Sequence, residues 1–162
     1  MTLVLNWLTN KLIHGENGII FDCEHTDSFG VIQDFIEIRD LCFKTPAIYY
    51  QAFPEESAAE FLNTLGEELI YKLGRPGLDY EQSLSKTIQE AELKMVVIDK
   101  CHLHPQDTLQ SLLNFFSDCN VAVVLVGSCR KMAIAQILSN PLVFHWDTLE
   151  IADKRETTAK FC

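Results

Sequence analysis

Two short, unbroken apolar runs set the tightest limit on how this chain can fold. Met95-Val96-Val97-Ile98, between Lys94 and Asp99, is the first, and Val121-Ala122-Val123-Val124-Leu125-Val126-Gly127 is the second. Neither alternates apolar with polar residues, so neither suits a strand with one wet face. Both are too short and too β-branched for a buried helix. Each therefore reads as a strand covered on both faces, which in practice means a parallel sheet with helices above and below.

The rest of the chain fits that frame. Thr2 to about Ile13 has helical spacing in Leu5, Leu8, Leu12 and Ile13. Gly15 and Gly18 then interrupt it ahead of a first strand, Gly18-Ile19-Ile20-Phe21. A helix is expected from about Asp27 to Leu41, and a second strand at Thr45–Gln51 with Pro46 near its start. Pro54-Glu55-Glu56-Ser57 opens a helix with Phe61, Leu62, Leu65, Leu69 and Ile70 on one face. After a loop at Leu73–Gly77, another helix runs from Tyr80 to about Ala91. Pro105 opens the helix between the two apolar runs, and a further helix passes through Met132, Ile134, Ile137 and Leu138. Val143–Leu149 is expected as the fifth strand. Strands alternating with helices imply an α/β three-layer sandwich with a five-stranded, mainly parallel sheet. The expected organisation is one domain: an N-terminal helix and linker over 1–17, a core over 18–149 and a short tail over 150–162.

Charge and composition narrow the function. A chain of 162 residues with 48% hydrophobic residues has enough material for one sizeable core. The net charge of −10 repels phosphate backbones, and the 13 Lys and Arg residues are thinly spread, with Arg130-Lys131 and Lys154-Arg155 the densest pairs. Direct DNA binding is therefore disfavoured and a protein partner is favoured. No apolar run approaches the ~20 residues of a membrane helix. The N-terminus lacks the basic start and cleavage site of a secretory signal. The six cysteines contain no CxxC pair, so reduced thiols in a cytoplasm are expected.

In doubly wound sheets ligands sit at the carboxyl ends of the strands. The third strand ends in Asp99, the form of a Walker B strand that aims a carboxylate at the Mg²⁺ of bound ATP. A helix and then Val123-Val124-Leu125-Val126-Gly127-Ser128 follow. This order, over about Gly15 to Leu149, resembles the Walker B and sensor 1 half of the AAA+ ATPases, and within them the TniB-like transposition-regulator ATPases. The resemblance implies a P-loop NTPase-like core with a phosphate loop after the first strand.

That loop would occupy Asp22, Cys23, Glu24, His25, Thr26, Asp27, Ser28 and Phe29. A working loop needs glycines to wrap phosphate with backbone amides, then Lys and Ser/Thr for phosphate and Mg²⁺. Here the glycine positions hold Asp22, His25 and Asp27, the lysine position holds Ser28, and the hydroxyl position holds Phe29. Asp22, Glu24 and Asp27 would also face a polyanion. The glutamate that activates water is replaced by Lys100, which cannot act as a carboxylate base. Ser128 takes the sensor 1 position. Ser139-Asn140-Pro141 stands where an arginine finger is expected, and 150–162 is too short for the usual helical lid. The resemblance thus implies a pseudo-ATPase with no catalytic residues and no ATP or metal cofactor. Its expected role is regulation or assembly through a protein partner, such as an active ATPase or a transposition component. The alternative is a nucleotide-binding ATPase with a rebuilt loop that keeps Asp99 as Mg²⁺ ligand. Self-association is left open by the sequence.

Two other chemistries meet obstacles in the sequence. Cys23, Glu24, His25, Cys101, His102 and His104 are ligand types suited to zinc if the loops after strands one and three meet, but their spacing matches no zinc signature. Cys129 precedes Arg130-Lys131, yet no base in the sequence order supports a nucleophile. Tyr49, Tyr50 and Phe53 read as core and loop packing.

Overall fold

The computed structural model describes residues 2–22, 28–42, 47–74 and 84–151. Within them the elements run α1 (Thr2–His14), β1 (Gly18–Asp22), α2 (Ser28–Cys42), β2 (Ala47–Gln51), α3 (Ala58–Lys72), α4 (Leu84–Glu90), β3 (Met95–Asp99), a 3₁₀ turn (Cys101–Leu103), α5 (Gln106–Asp118), β4 (Ala122–Ser128), α6 (Lys131–Leu138) and β5 (Asp147–Ile151). The five strands form one sheet in the order β2-β3-β4-β1-β5, and every neighbouring pair is parallel.

The sheet splits the core in two because side chains alternate across a strand. Ile19, Phe21, Val96, Ile98, Val123 and Leu125 face the layer built from α3, α4, α5 and α6. Ile20, Met95, Val97, Ala122, Val124 and Val126 face the layer built from α1 and α2. Both expected apolar strands are thus buried on both faces, as their unbroken runs require.

Local signals set several boundaries. α3 starts in a capping box: the Glu60 amide donates to Ser57 Oγ at 3.3 Å, and the Ser57 amide donates to Glu60 Oε2 at 2.8 Å. The start of β1 is tied to α1 through Gly18. A Cβ there would stand 2.3 Å from Trp7 Cη2, so only glycine lets the indole lie against the strand. α1 is also held to β5, where Lys11 Nζ lies 3.1 Å from Asp147 Oδ2 and 3.0 Å from Glu16 Oε2, and Trp7 Nε1 donates to Asp147. Residues 2–14 therefore form part of a core layer.

The fifth strand lies later than its sequence suggests. Val143–Trp146, apolar and aromatic, form turns in which the Val143 amide bonds the Asn140 carbonyl and the Trp146 amide bonds the Val143 carbonyl. The strand is Asp147–Ile151, which pairs Gly18 with Asp147 and Asp22 with Ile151. β5 sits at the sheet edge, where only Leu149 and Ile151 meet the α1 layer, so its sequence carries little apolar signal. The expected helix start at Tyr80 lies outside the described residues; the helix is seen from Leu84. No described helix is long and apolar enough to cross a membrane.

Candidate functional site

The helix leaving β1 lies on the opposite face from those leaving β2, β3 and β4. The carboxyl ends of β1 and β4 therefore flank the crevice where ligands bind in such sheets. β4 stands between β1 and β3. The loops after strands one and three are not direct neighbours; their strand ends are two spacings apart, about 10 Å.

Asp22 is the last residue of β1, half-buried and level with Ser128 of β4. Its carbonyl accepts the Cys129 amide at 3.0 Å, which extends the β1–β4 ladder by one bond. Cys23, Glu24, His25, Thr26 and Asp27 lie outside the described residues. Ser28 begins α2 and Phe29 follows it, with a half-exposed ring set edge-on to Tyr49 at 5.3 Å between centroids.

Asp99 ends β3 level with Gln51 of β2, and its two carboxylate oxygens have separate donors. The Tyr49 hydroxyl donates to Oδ2 at 2.5 Å, and the Lys100 amide donates to Oδ1 at 2.7 Å. Burial, then the hydrogen bond to Asp99 and its charge, push the Tyr49 phenol well above its usual range, so it stays a neutral donor. Lys100 takes a left-handed backbone conformation with φ of 53° and points an exposed side chain to solvent. Phe29, Tyr49 and Asp99 thus form a continuous chain from α2 through β2 to β3.

A second polar group lies beside it. Glu56, in the loop after β2, accepts the Tyr50 hydroxyl on Oε1, and its Oε2 is 2.9 Å from His104 Nε2. Its carbonyl accepts the Thr108 hydroxyl at 3.2 Å. His104 is fully enclosed, with Nδ1 unpartnered and the ring edge-on to Phe61. This fits the tautomer with the proton on Nε2, since an unpaired buried N–H is the costlier arrangement. The cluster pins the β2–α3 loop to α5.

Ser128 ends β4, and its Oγ accepts the Arg130 amide at 3.3 Å. Gly127 before it leaves room for the Ile137 methyl, which would stand 2.4 Å from an added Cβ; this lets α6 close over the strand end. A groove of about 250 Å³ lies there, lined by His102, Ser128, Arg130, Met132, Ala133 and Gln136. Of the zinc candidates, Cys101 is buried, its thiol pushed upward by burial and then by the Asp99 charge. His102 lines the groove and His104 turns to Glu56. No three metal-binding side chains converge among the described residues. Cys129 packs against the larger core cluster. Ser139 and Asn140 close α6, where the Ser139 amide donates to the Ala135 carbonyl.

Known structures share this fold. A structure titled as Drosophila ORC bound to AT-rich DNA and Cdc6 superposes with a TM-score of 0.71 at 11% identity, over 97% of this chain and 29% of that one. The fold is that of the AAA+ P-loop ATPases. A DnaC helicase loader matches with a TM-score of 0.55 at 8% identity, over 93% of this chain and 87% of that one. The Candida albicans Pif1 helicase matches at 0.51 and 13%, over 95% of this chain and 40% of that one. The chain thus spans under a third of the ORC chain it matches. No family model matches the sequence, and no curated protein does.

Sequence reasoning reached the strand ends but missed what closes them. In the sequence Tyr49 reads as packing, yet its hydroxyl donates to a carboxylate oxygen of Asp99. The sequence signal lay in two facts: Tyr49 and Asp99 fall near the ends of neighbouring strands, and Tyr rarely buries its hydroxyl without a partner.

Proposed function

We propose that this chain is a pseudo-ATPase: an AAA+-like domain that does not hydrolyse ATP and acts as a regulatory or assembly protein through protein–protein contacts. The observation that carries this reading is the closed state of Asp99. A Walker B aspartate serves hydrolysis by offering an oxygen to Mg²⁺, directly at about 2.1 Å or from farther away through a coordinated water. Here Oδ2 holds the Tyr49 hydroxyl and Oδ1 holds the Lys100 amide. Where an active relative places a Mg²⁺-binding hydroxyl, this chain has Phe29, whose ring packs on the tyrosine that caps Asp99. Lys100 adds a cation at the position of the water-activating carboxylate. Two departures from the family pattern, Phe29 and Lys100, together with the Tyr49 bond to Asp99, support this reading.

A protein partner suits the remaining features. The net charge of −10 opposes nucleic acid. Of the similar structures, one is titled as ORC bound to AT-rich DNA and Cdc6 and another as a helicase loader, so a protein partner appears in the first title beside DNA. The resemblance to TniB-like regulators suggests a transposition or other mobile-element setting beside an active ATPase, in the reducing cytoplasm.

The test is phosphate release from Mg-ATP by the purified chain, with the thermal midpoint measured with and without nucleotide. The reading expects release at the rate of a protein-free blank and an unmoved midpoint. Protein-dependent turnover would establish the rebuilt-loop ATPase instead.

A further inference from the structure

Helix α1 carries no carboxylate. Thr2–His14 contains neither Asp nor Glu, in a chain that has 23 of them and a net charge of −10. Val4 and Leu8 bury its inner face on the sheet, and Lys11 is held by Glu16 and Asp147. Its outer face is a stripe of four exposed residues, Leu3, Asn6, Asn10 and Ile13. At 3.6 residues per turn they fall within an arc of about 80°, on the side away from Leu8. Leu3 and Ile13 are each 67% exposed, so two aliphatic side chains of one helix stand largely in water.

The stripe is symmetric about the level of Leu8. Leu3 and Ile13 lie five residues to either side of it, and Asn6 and Asn10 lie two. At a rise of about 1.5 Å per residue these offsets are about 7.5 Å and about 3 Å along the axis. A second copy of the helix, laid antiparallel across a two-fold axis at that level, sets Leu3 of each copy against Ile13 of the other. It also sets Asn6 of each copy against Asn10 of the other. Aliphatic then meets aliphatic, and carboxamide meets carboxamide, each with both a donor and an acceptor to offer. A closed two-fold contact requires this kind of self-complementarity.

We infer that α1 is a self-association face, on which a second copy of this chain docks antiparallel through Leu3, Asn6, Asn10 and Ile13. Two copies of net charge −10 repel, and a helix without carboxylates is where they approach at least cost. Of the described acids on neighbouring elements, Glu16 and Asp147 are engaged by Lys11, while Asp34 and Glu37 stand exposed on α2. Area sets the strength. A helix of 13 residues is about 20 Å long, and one such pair buries far less than the roughly 800 Å² per partner of a standard interface. The dimer is therefore weak and concentration-dependent. No strand-end residue takes part, so the contact is independent of the reading of Asp99 above.

The experiment is sedimentation equilibrium of the full chain, with and without Mg-ATP. A monomer–dimer equilibrium with Kd between about 10 μM and about 1 mM is expected. Added salt should tighten it, because the repulsion between copies is screened, and Mg-ATP should leave it unchanged. Leu3→Glu/Ile13→Glu should weaken it at least about tenfold. Leu3→Lys/Ile13→Glu should stay within about threefold of wild type. Positions 3 and 13 are about 15 Å apart on one helix, so those two charges meet only across the antiparallel contact. Tyr71→Glu, at an exposed site on α3, should change nothing. A monomer at about 1 mM overturns the assignment. So does a dimer that the double-Glu variant leaves intact, or one that the Lys/Glu variant loses as fully as the double-Glu variant does. Binding of wild type to neutral phosphatidylcholine vesicles in place of a dimer overturns it too. A dimer that persists while the chain also binds Mg-ATP upholds the contact and removes only the pseudo-ATPase reading.

Discussion

Replacing Tyr49 by Phe removes one hydroxyl and keeps the ring against Phe29, so it isolates the bond that closes Asp99. A hydrogen bond to a charged acceptor contributes about 1.5–3 kcal/mol when well enclosed. Tyr49 and Asp99 are both only partly buried, so water can replace part of the loss and about 1 kcal/mol is expected at neutral pH. In a domain of this size that lowers the melting temperature by roughly 2–4 °C. The pH dependence sharpens the test. The folded-state pKa of Tyr49 is raised, so its contribution is fully present below the unfolded value, near pH 10. Above that pH the unfolded chain ionises first and the contribution falls, by at most about 1.4 kcal/mol per pH unit before solvent screening reduces it. Tyr50 is raised as well, by burial and its bond to Glu56, but it is common to both proteins and cancels. Urea unfolding at pH 7, 9 and 10.5 should show wild type ahead by about 1 kcal/mol at pH 7, with the gap closing as pH rises. Equal stability at pH 7, or a gap that widens with pH, refutes the argument.

Three further outcomes follow from the packing. Gly18→Ala places a methyl into the Trp7 indole, a rigid neighbour at 2.3 Å, and should cost about 1–3 kcal/mol with a change in tryptophan emission as Trp7 leaves Asp147. Glu56→Ala leaves His104 and Tyr50 without their shared acceptor, while Thr108 keeps the backbone carbonyl, and should cost about 3 kcal/mol by denaturant unfolding. Asp147 is held below its usual range, chiefly by its hydrogen bond from Lys11, so its contribution is present above that range and lost as pH falls through the lowered value. Asp147→Asn should flatten the acid limb of the stability curve below about pH 4.

The sheet was legible because β3 and β4 are buried on both faces, and the run Met95–Ile98 has no polar interruption. β5 was not, because an edge strand with one covered face needs few apolar residues. Asp147–Ile151 looks like a loop, whereas the more strand-like Val143–Trp146 is folded into turns by local bonds to Asn140 and Val143. At the site, Asp99, Lys100 and Ser128 could be placed by counting from strand ends. The Tyr49–Asp99 and Glu56–His104 bonds could not, since each joins side chains about fifty residues apart that only the strand order brings together.

The proposed closure of the strand-end site around Asp99 to nucleotide is tested most directly by calorimetric titration of the purified chain with ATP and excess Mg²⁺. The account predicts no saturable heat at nucleotide concentrations up to the millimolar range. Binding tighter than about 100 μM, a free energy near −5.5 kcal/mol, would contradict it.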